Sequence, residues 1–209
     1  MNASAKFLSG FFAAVFVFTS GFSYAEEPSA QAHRYGLESG VVKYDITGAQ
    51  TGNETVSFDQ WGRRESRKTS VNGGKNKKGE TFLTLFFPDF IYFVDLAKKS
   101  GHKWKNNFWD TFPEGEYTSE AIQKLGGKKT GTEDILGKTC DVWDIPAAQT
   151  HLWVWNRIPL KMTRQIQEGE IVSAASALQE NVAVPEENFA VPEGADIKET
   201  GDQSIPSIT

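Results

Sequence analysis

The chain has 209 residues, a single cysteine, a formal charge of −5 and 39% hydrophobic residues. That length holds about one domain and is enough to bury a substantial core. One cysteine excludes an internal disulfide, and an acidic balance argues against nucleic acid as the principal partner.

Residues 1–25 have the grammar of a secretory leader. Lys6 is followed by an apolar run from Phe7 to Phe18, and small residues stand at Ser23 and Ala25. The run is shorter than the ~20 residues that span a bilayer. Cleavage after Ala25 and export of a soluble chain are therefore expected, with no stable transmembrane anchor. No cysteine follows the apolar run, so the usual lipid-attachment signal of bacterial lipoproteins is absent.

Residues 26–39 read as a polar lead. In GVVKYDIT, Val42, Tyr44 and Ile46 alternate with Lys43, Asp45 and Thr47, which is the pattern of a half-buried strand. A turn at GAQTG leads to a second strand with Val56 and Phe58 on one face, and WG turns the chain again. RRESRKTS is polar on both faces. It reads as an exposed edge strand whose charges discourage aggregation, with an anion-facing strip of Arg63, Arg64, Arg67 and Lys68 as the functional alternative.

VNGGKNKKG is a basic loop. ETFLTLFF and DFIYFVDLA are apolar on both faces, so something must cover each side of that part of the sheet. HKWKNN is a shorter strand. TSEAIQKLGG is the one helix expected: Thr118 or Ser119 caps it, Glu120 suits its first turn, and Gly126-Gly127 stop it. Strands resume in KKTGTEDIL, KTCDVWDI, HLWVWN, LKMTRQIQ and EIVSAASAL, with Pro159 placed at a turn and small residues at Ser173 to Ser176. Residues 195–209 read as an acidic flexible tail. The whole is a mainly β chain: a strongly curved antiparallel sheet with one or two short helices.

Charge is unevenly spread. Trp61 to Lys138 carries 15 Lys/Arg against 10 Asp/Glu, whereas Gln165 to the end carries one Lys against nine Asp/Glu. Such blocks are ordinarily solvated surface, and they also steer anionic partners to one face.

Catalytic motifs are sparse. His33, His102 and His151 lack metal-ligand spacing, no Gly-x-Ser-x-Gly occurs, and VNGGKNKKG lacks the Gly-Lys-Ser/Thr ending of a phosphate loop. Asp141 and Asp144 stand at a spacing that sends strand residues to opposite faces. Cys140 reads as an inert buried thiol, with an intermolecular disulfide or a reactive thiol as the alternative. No enzyme, metal or cofactor is expected. Aromatic content does stand out, with 15 Phe, six Trp and five Tyr. Large aromatics ordinarily pack in a core, yet one short helix covers little of a sheet with two apolar faces. Apolar area left over curls on itself, binds a partner or holds a ligand.

The order GTEDILGKTCDVWDI, LWVWNRIPLKM and ALQENVAVPEENFAVPEG resembles the LolA-like superfamily of periplasmic half-barrels, relatives of the outer-membrane lipoprotein carrier. The marks are Gly137, Trp153, Pro159, Asn181, Phe189 and Pro192, and the likeness runs from Gly40 to Gly194. The carriers begin with a long amphipathic helix, whereas residues 26–39 are short and polar. The resemblance implies one half-barrel domain over residues 40–194, in the periplasm, with an apolar hollow for a lipid or lipoprotein acyl chain. Phe86, Phe93, Trp143, Trp153 and Trp155 are the expected hollow residues, and Lys77 and Lys98 the expected headgroup contacts. An envelope sensor or protein-interaction module using the same sheet face is the alternative.

Overall fold

A computed structural model describes residues 33–73 and 79–201. The expected leader and Lys77 lie outside the described residues. Strands β1 (Gly40–Gly48), β2 (Gln50–Asp59), β3 (Arg64–Gly73), β4 (Glu80–Phe86), β5 (Phe90–Asp95) and β6 (Ser100–Lys105) come first. Helices α1 (Phe108–Thr111) and α2 (Ser119–Lys124) follow. The chain continues with β7 (Lys128–Ile135), β8 (Lys138–Ile145), β9 (Thr150–Trp155), β10 (Ile158–Ile166), β11 (Gly169–Glu180) and β12 (Asp196–Glu199).

All twelve strands form one sheet in the order β12-β6-β5-β4-β3-β2-β1-β11-β10-β9-β8-β7. Two antiparallel meanders are joined where β1 pairs with β11, and only β12 runs parallel to its neighbour, β6. The β2–β3 and β9–β10 turns stand four strand spacings apart along this order, ~19 Å if the sheet were flat. Yet Tyr35 N–H donates to Trp61 O at 3.1 Å and Gly36 N–H donates to Asn156 O at 3.0 Å. Consecutive amides lie roughly 4 Å apart, so the two turns are drawn together and the sheet curls strongly. It does not close, because β7 and β12 remain as edges.

The expected helix is present. Thr118 Oγ1 accepts from Ala121 N–H at 3.1 Å, and Gly126 takes the left-handed conformation (φ 80°) that ends α2. The apolar runs in β4 and β5 are covered on both sides. Phe86 and Ile91 pack under Phe108 and Phe112 of the α1 region. On the other face Leu83, Leu85 and Val94 pack against Ala195 and Ile197. Residues 196–199 are therefore a sheet strand, where the sequence suggested tail. Residues 33–39 likewise belong to the core: Arg34, Tyr35 and Leu37 are buried. The β9–β10 turn is Asn156-Arg157, both at positive φ, which is the two-residue hairpin geometry. Pro159, expected at that turn, instead sits inside β10 at a register shift.

Candidate functional site

The centre of the concave face is packed by Val42, Tyr44, Val56, Phe58, Leu160 and Ala175, with Ile46, Phe82 and Ile171 beside them, and three further patches lie where the 106–127 connection crosses this face. The first is ionic. Strand alternation sends Glu65, Arg67 and Thr69 of β3 inward, beside Glu54 of β2. Arg34 Nε donates to both Glu116 oxygens at 2.9 and 3.0 Å, and its Nη2 donates to Glu116 at 2.6 Å. Arg34 Nη1 reaches Glu65 at 3.1 Å, and the Tyr35 hydroxyl donates to the same carboxylate. Arg67 bridges Glu65 at 3.1 Å and Glu54 at 3.0 Å, while Thr69 donates to Glu54 at 2.7 Å. RRESRKTS is thus no edge strand: β3 lies between β2 and β4, and its charges are internal. Of the anion-facing strip suggested for it, Arg67 is committed to two carboxylates, and Arg64 pairs with Asp59 and Glu186.

Three carboxylates here meet two guanidiniums. Burial alone would raise Glu65, but Arg34 and Arg67 hold its carboxyl below the ordinary range. Glu54 goes the other way: burial raises it, and Arg67 with the Thr69 hydroxyl only partly opposes that. Burial works against both arginines, and their carboxylate partners more than restore the charge. Burial also pushes the Tyr35, Tyr44 and Tyr117 hydroxyls upward, so they stay neutral.

The second patch is aromatic. Phe86, Ile91, Phe108, Phe112 and Ala121 form a buried cluster flanked by Trp104 and Trp109. Phe108 meets Trp109 edge-on at 5.0 Å and Phe86 edge-on at 5.1 Å. The Arg34 guanidinium lies 4.5 Å over the Phe86 ring and 5.0 Å over the Phe108 ring, tying this patch to the ionic one. The third patch lies under α2, where Ile122 packs on Trp143, Ile145, Leu152 and Val154. A cleft of about 250 Å³ opens beside it, between Tyr117, Asp141, Trp143 and Arg157.

The structure divides the expected hollow residues. Phe86, Phe93 and Trp143 face the concave side: Trp143 is in the α2 cluster, Phe86 in the α1 cluster, and Phe93 stacks on Phe82 at 5.1 Å. Trp153 and Trp155 do share a face, but alternation turns it away from α2, to which Leu152 and Val154 point, and both pack half-buried against the core cluster that holds Cys140, Ile158 and Leu160. Trp153 Nε1 donates to Glu133 at 2.5 Å, and Lys161 sits 4.1 Å over its ring. Lys138 sits 4.5 Å over Trp155. Lys98 is exposed at the β5–β6 turn and paired with Asp95. Cys140 is fully buried, and burial pushes its thiol up. Among the described residues no group of three or more His, Cys, Asp or Glu is placed to hold a metal ion.

Arg34, Glu54, Glu65, Arg67 and Glu116 were not legible as a unit. A signal existed for two of them: a charged strand between two strands with apolar inner faces must be central, so its inward charges need buried partners.

No family model matches the sequence, and no curated protein does. Among solved structures, the chain is similar to an uncharacterised conserved protein from Thermus thermophilus, with TM-score 0.52 and 8% identity over 79% of this chain and 93% of that one. At that identity the likeness establishes the fold alone: the two share the open, curled sheet. PNGF-II in its C2 crystal form aligns with TM-score 0.41 and 13% identity over 78% of this chain and 31% of that one, so the chain spans about a third of its length. LprF from Mycobacterium bovis aligns with TM-score 0.36 and 13% identity over 72% of this chain and 90% of that one.

Proposed function

We propose that this protein is a non-enzymatic, exported binding module for an acyl chain, of the LolA-like kind, acting in the periplasm. The observation that carries the reading is the cover of the concave face. An apolar inner surface built from Phe86, Ile91, Trp143, Leu152 and Val154 lies under a connection that contains only two short helices. Helices of four and six residues have little stability of their own. They stay down because Phe108, Phe112 and Ile122 fill the space and because Glu116 is clamped by Arg34.

An acyl chain has the right chemistry to replace those side chains. Each buried methylene contributes about 0.8 kcal/mol, so a chain of a dozen carbons offsets the exposure of several aromatic groups. The open sheet supports such exchange, since a half-barrel widens without breaking a ladder of hydrogen bonds. The ionic patch fixes the connection over the sheet without filling the apolar patches on either side.

The test is a titration of the purified protein, lacking residues 1–25, with dodecanoyl ligands, read by intrinsic tryptophan fluorescence. The reading predicts a saturable response, because Trp104, Trp109 and Trp143 line the inner face. No response, with no retardation of a radiolabelled acyl ligand on gel filtration, overturns it.

A further inference from the structure

Among the described residues four buried side-chain polar atoms have no hydrogen-bond partner: His33 Nε2, Thr84 Oγ1, Trp104 Nε1 and Trp109 Nε1. Three of the four belong to one wall. Thr84 projects from β4 on the concave face, across from Phe93 of β5 and Arg67 of β3. Trp104 stands opposite Ile91 and flanks the aromatic cluster. Trp109, on α1, meets the Phe86 and Phe108 rings edge-on at 6.3 and 5.0 Å. Thr84 is only 8% exposed. Buried polar groups are nearly always paired, so two orphans flanking the aromatic cluster and a third on its face of β4, two positions from Phe86, are informative.

Their chemistry specifies the partner they would take. An indole N–H only donates, and a hydroxyl donates as readily as it accepts. The wall therefore wants an acceptor. A phosphate or a free carboxylate brings a charge, and the two guanidiniums that border this wall are already engaged: Arg34 by Glu65 and Glu116, Arg67 by Glu65 and Glu54. A charge without a partner is strongly disfavoured in such surroundings. A neutral carbonyl oxygen is not.

We propose that Thr84, Trp104 and Trp109 form the polar anchor of the acyl site and donate to the neutral carbonyl of an ester- or amide-linked acyl chain. The anchor rests on the acyl-binding reading and adds to it a direction: the carbonyl end lies at β4–β6 under α1, and the alkyl end runs toward the α2 patch. It also adds a selection, for esterified or amidated chains over free fatty acids.

The experiment is a proton–nitrogen spectrum of the indole N–H groups, titrated separately with methyl dodecanoate, dodecanoate and dodecane. Signals are assigned with Trp104→Phe and Trp109→Phe, and ligand binding is followed independently by saturation transfer to the alkyl protons. The anchor predicts that methyl dodecanoate moves the Trp104 and Trp109 signals downfield, that dodecane does not, and that the ester binds more tightly than the carboxylate. In Thr84→Val the ester affinity falls roughly two- to tenfold, the range for one hydrogen bond, while thermal stability does not fall because an unpaired hydroxyl has been removed. Ester binding without movement of the two indole signals overturns the anchor and leaves the acyl reading intact. Tighter binding of dodecanoate overturns the selection for a neutral group. Binding of none of the three overturns both.

Discussion

Arg34 and Glu116 are 82 positions apart in the chain, yet Nη2 of one lies 2.6 Å from Oε1 of the other, and both side chains are buried. This contact joins the N-terminal segment to the connection over the concave face. Breaking it by removing one partner leaves a buried charge uncompensated. Arg34→Met is predicted to cost about 3–5 kcal/mol, as for other buried pairs, measured as a lower urea midpoint at pH 7. Lys129→Met, which removes the exposed pair with Asp141, is predicted to change the midpoint little. Equal effects of the two would mean that the ionic patch carries no special load.

The two shifted carboxylates of that patch make opposite predictions. Glu65 is held below its ordinary range in the folded state, so its contribution is present above the unfolded value of about 4.5 and is lost as pH falls through the folded value. Glu54 is raised, so its charge works against the folded state at neutral pH, and that penalty is relieved as pH falls through the folded value. Glu65→Gln is therefore predicted to lower stability at pH 7 far more than Glu54→Gln, and to flatten the loss of stability below about pH 4.5. Urea unfolding of the two variants between about pH 3 and pH 7 checks both statements.

The division of tryptophans between the faces can be tested directly. Trp143→Ala removes a side chain buried under α2 and is predicted to destabilise by about 3–5 kcal/mol and to weaken the acyl response. Trp153→Phe and Trp155→Phe are predicted to leave that response unchanged, since both rings point away from α1 and α2, half-buried against the Cys140–Ile158 cluster and under Lys161 and Lys138. Loss of acyl binding in either of these variants would place the ligand on the wrong side of the sheet.

Two backbone positions give predictions of opposite sign. Gly62 has φ 81°, and a Cβ there would stand 2.6 Å from the Tyr35 ring, so Gly62→Ala is predicted to destabilise by about 1–3 kcal/mol. Leu136 has φ 52° at a hairpin tip, where it is 46% exposed. Leu136→Asn is predicted to stabilise by about 0.5–1 kcal/mol, because Asn tolerates the left-handed region better. Thermal melts decide both.

Local pattern carried much of this fold. Alternation marked β1 and β2, Thr118 and Gly126 bounded α2, and the doubly apolar runs of β4 and β5 announced two covering layers. What pattern could not supply was the identity of the covers. One is the 108–122 segment, and the other includes Ala195 and Ile197, far along the chain and polar on average. The same non-locality hid the ionic patch. Glu65 and Arg67 look like surface charges until Arg34, from a segment that reads as polar lead, and Glu116, from a loop, arrive to bury them. Parity was also legible for the tryptophan pair, since alternation put Trp153 and Trp155 together. Which face was concave depended on curvature, and curvature depends on the bridge from Trp61 to Asn156 through Tyr35 and Gly36.

Acyl binding is decided by native mass spectrometry of the protein purified gently from its native envelope, with its lipid extracted and identified. The acyl-binding reading predicts a bound species whose mass corresponds to an esterified or amidated acyl lipid, released when Arg34→Met loosens the cover. A lipid-free protein that also gives no tryptophan response to dodecanoyl ligands would contradict it, and a protein partner carried through the same purification in place of lipid would assign the sheet face to an interaction module.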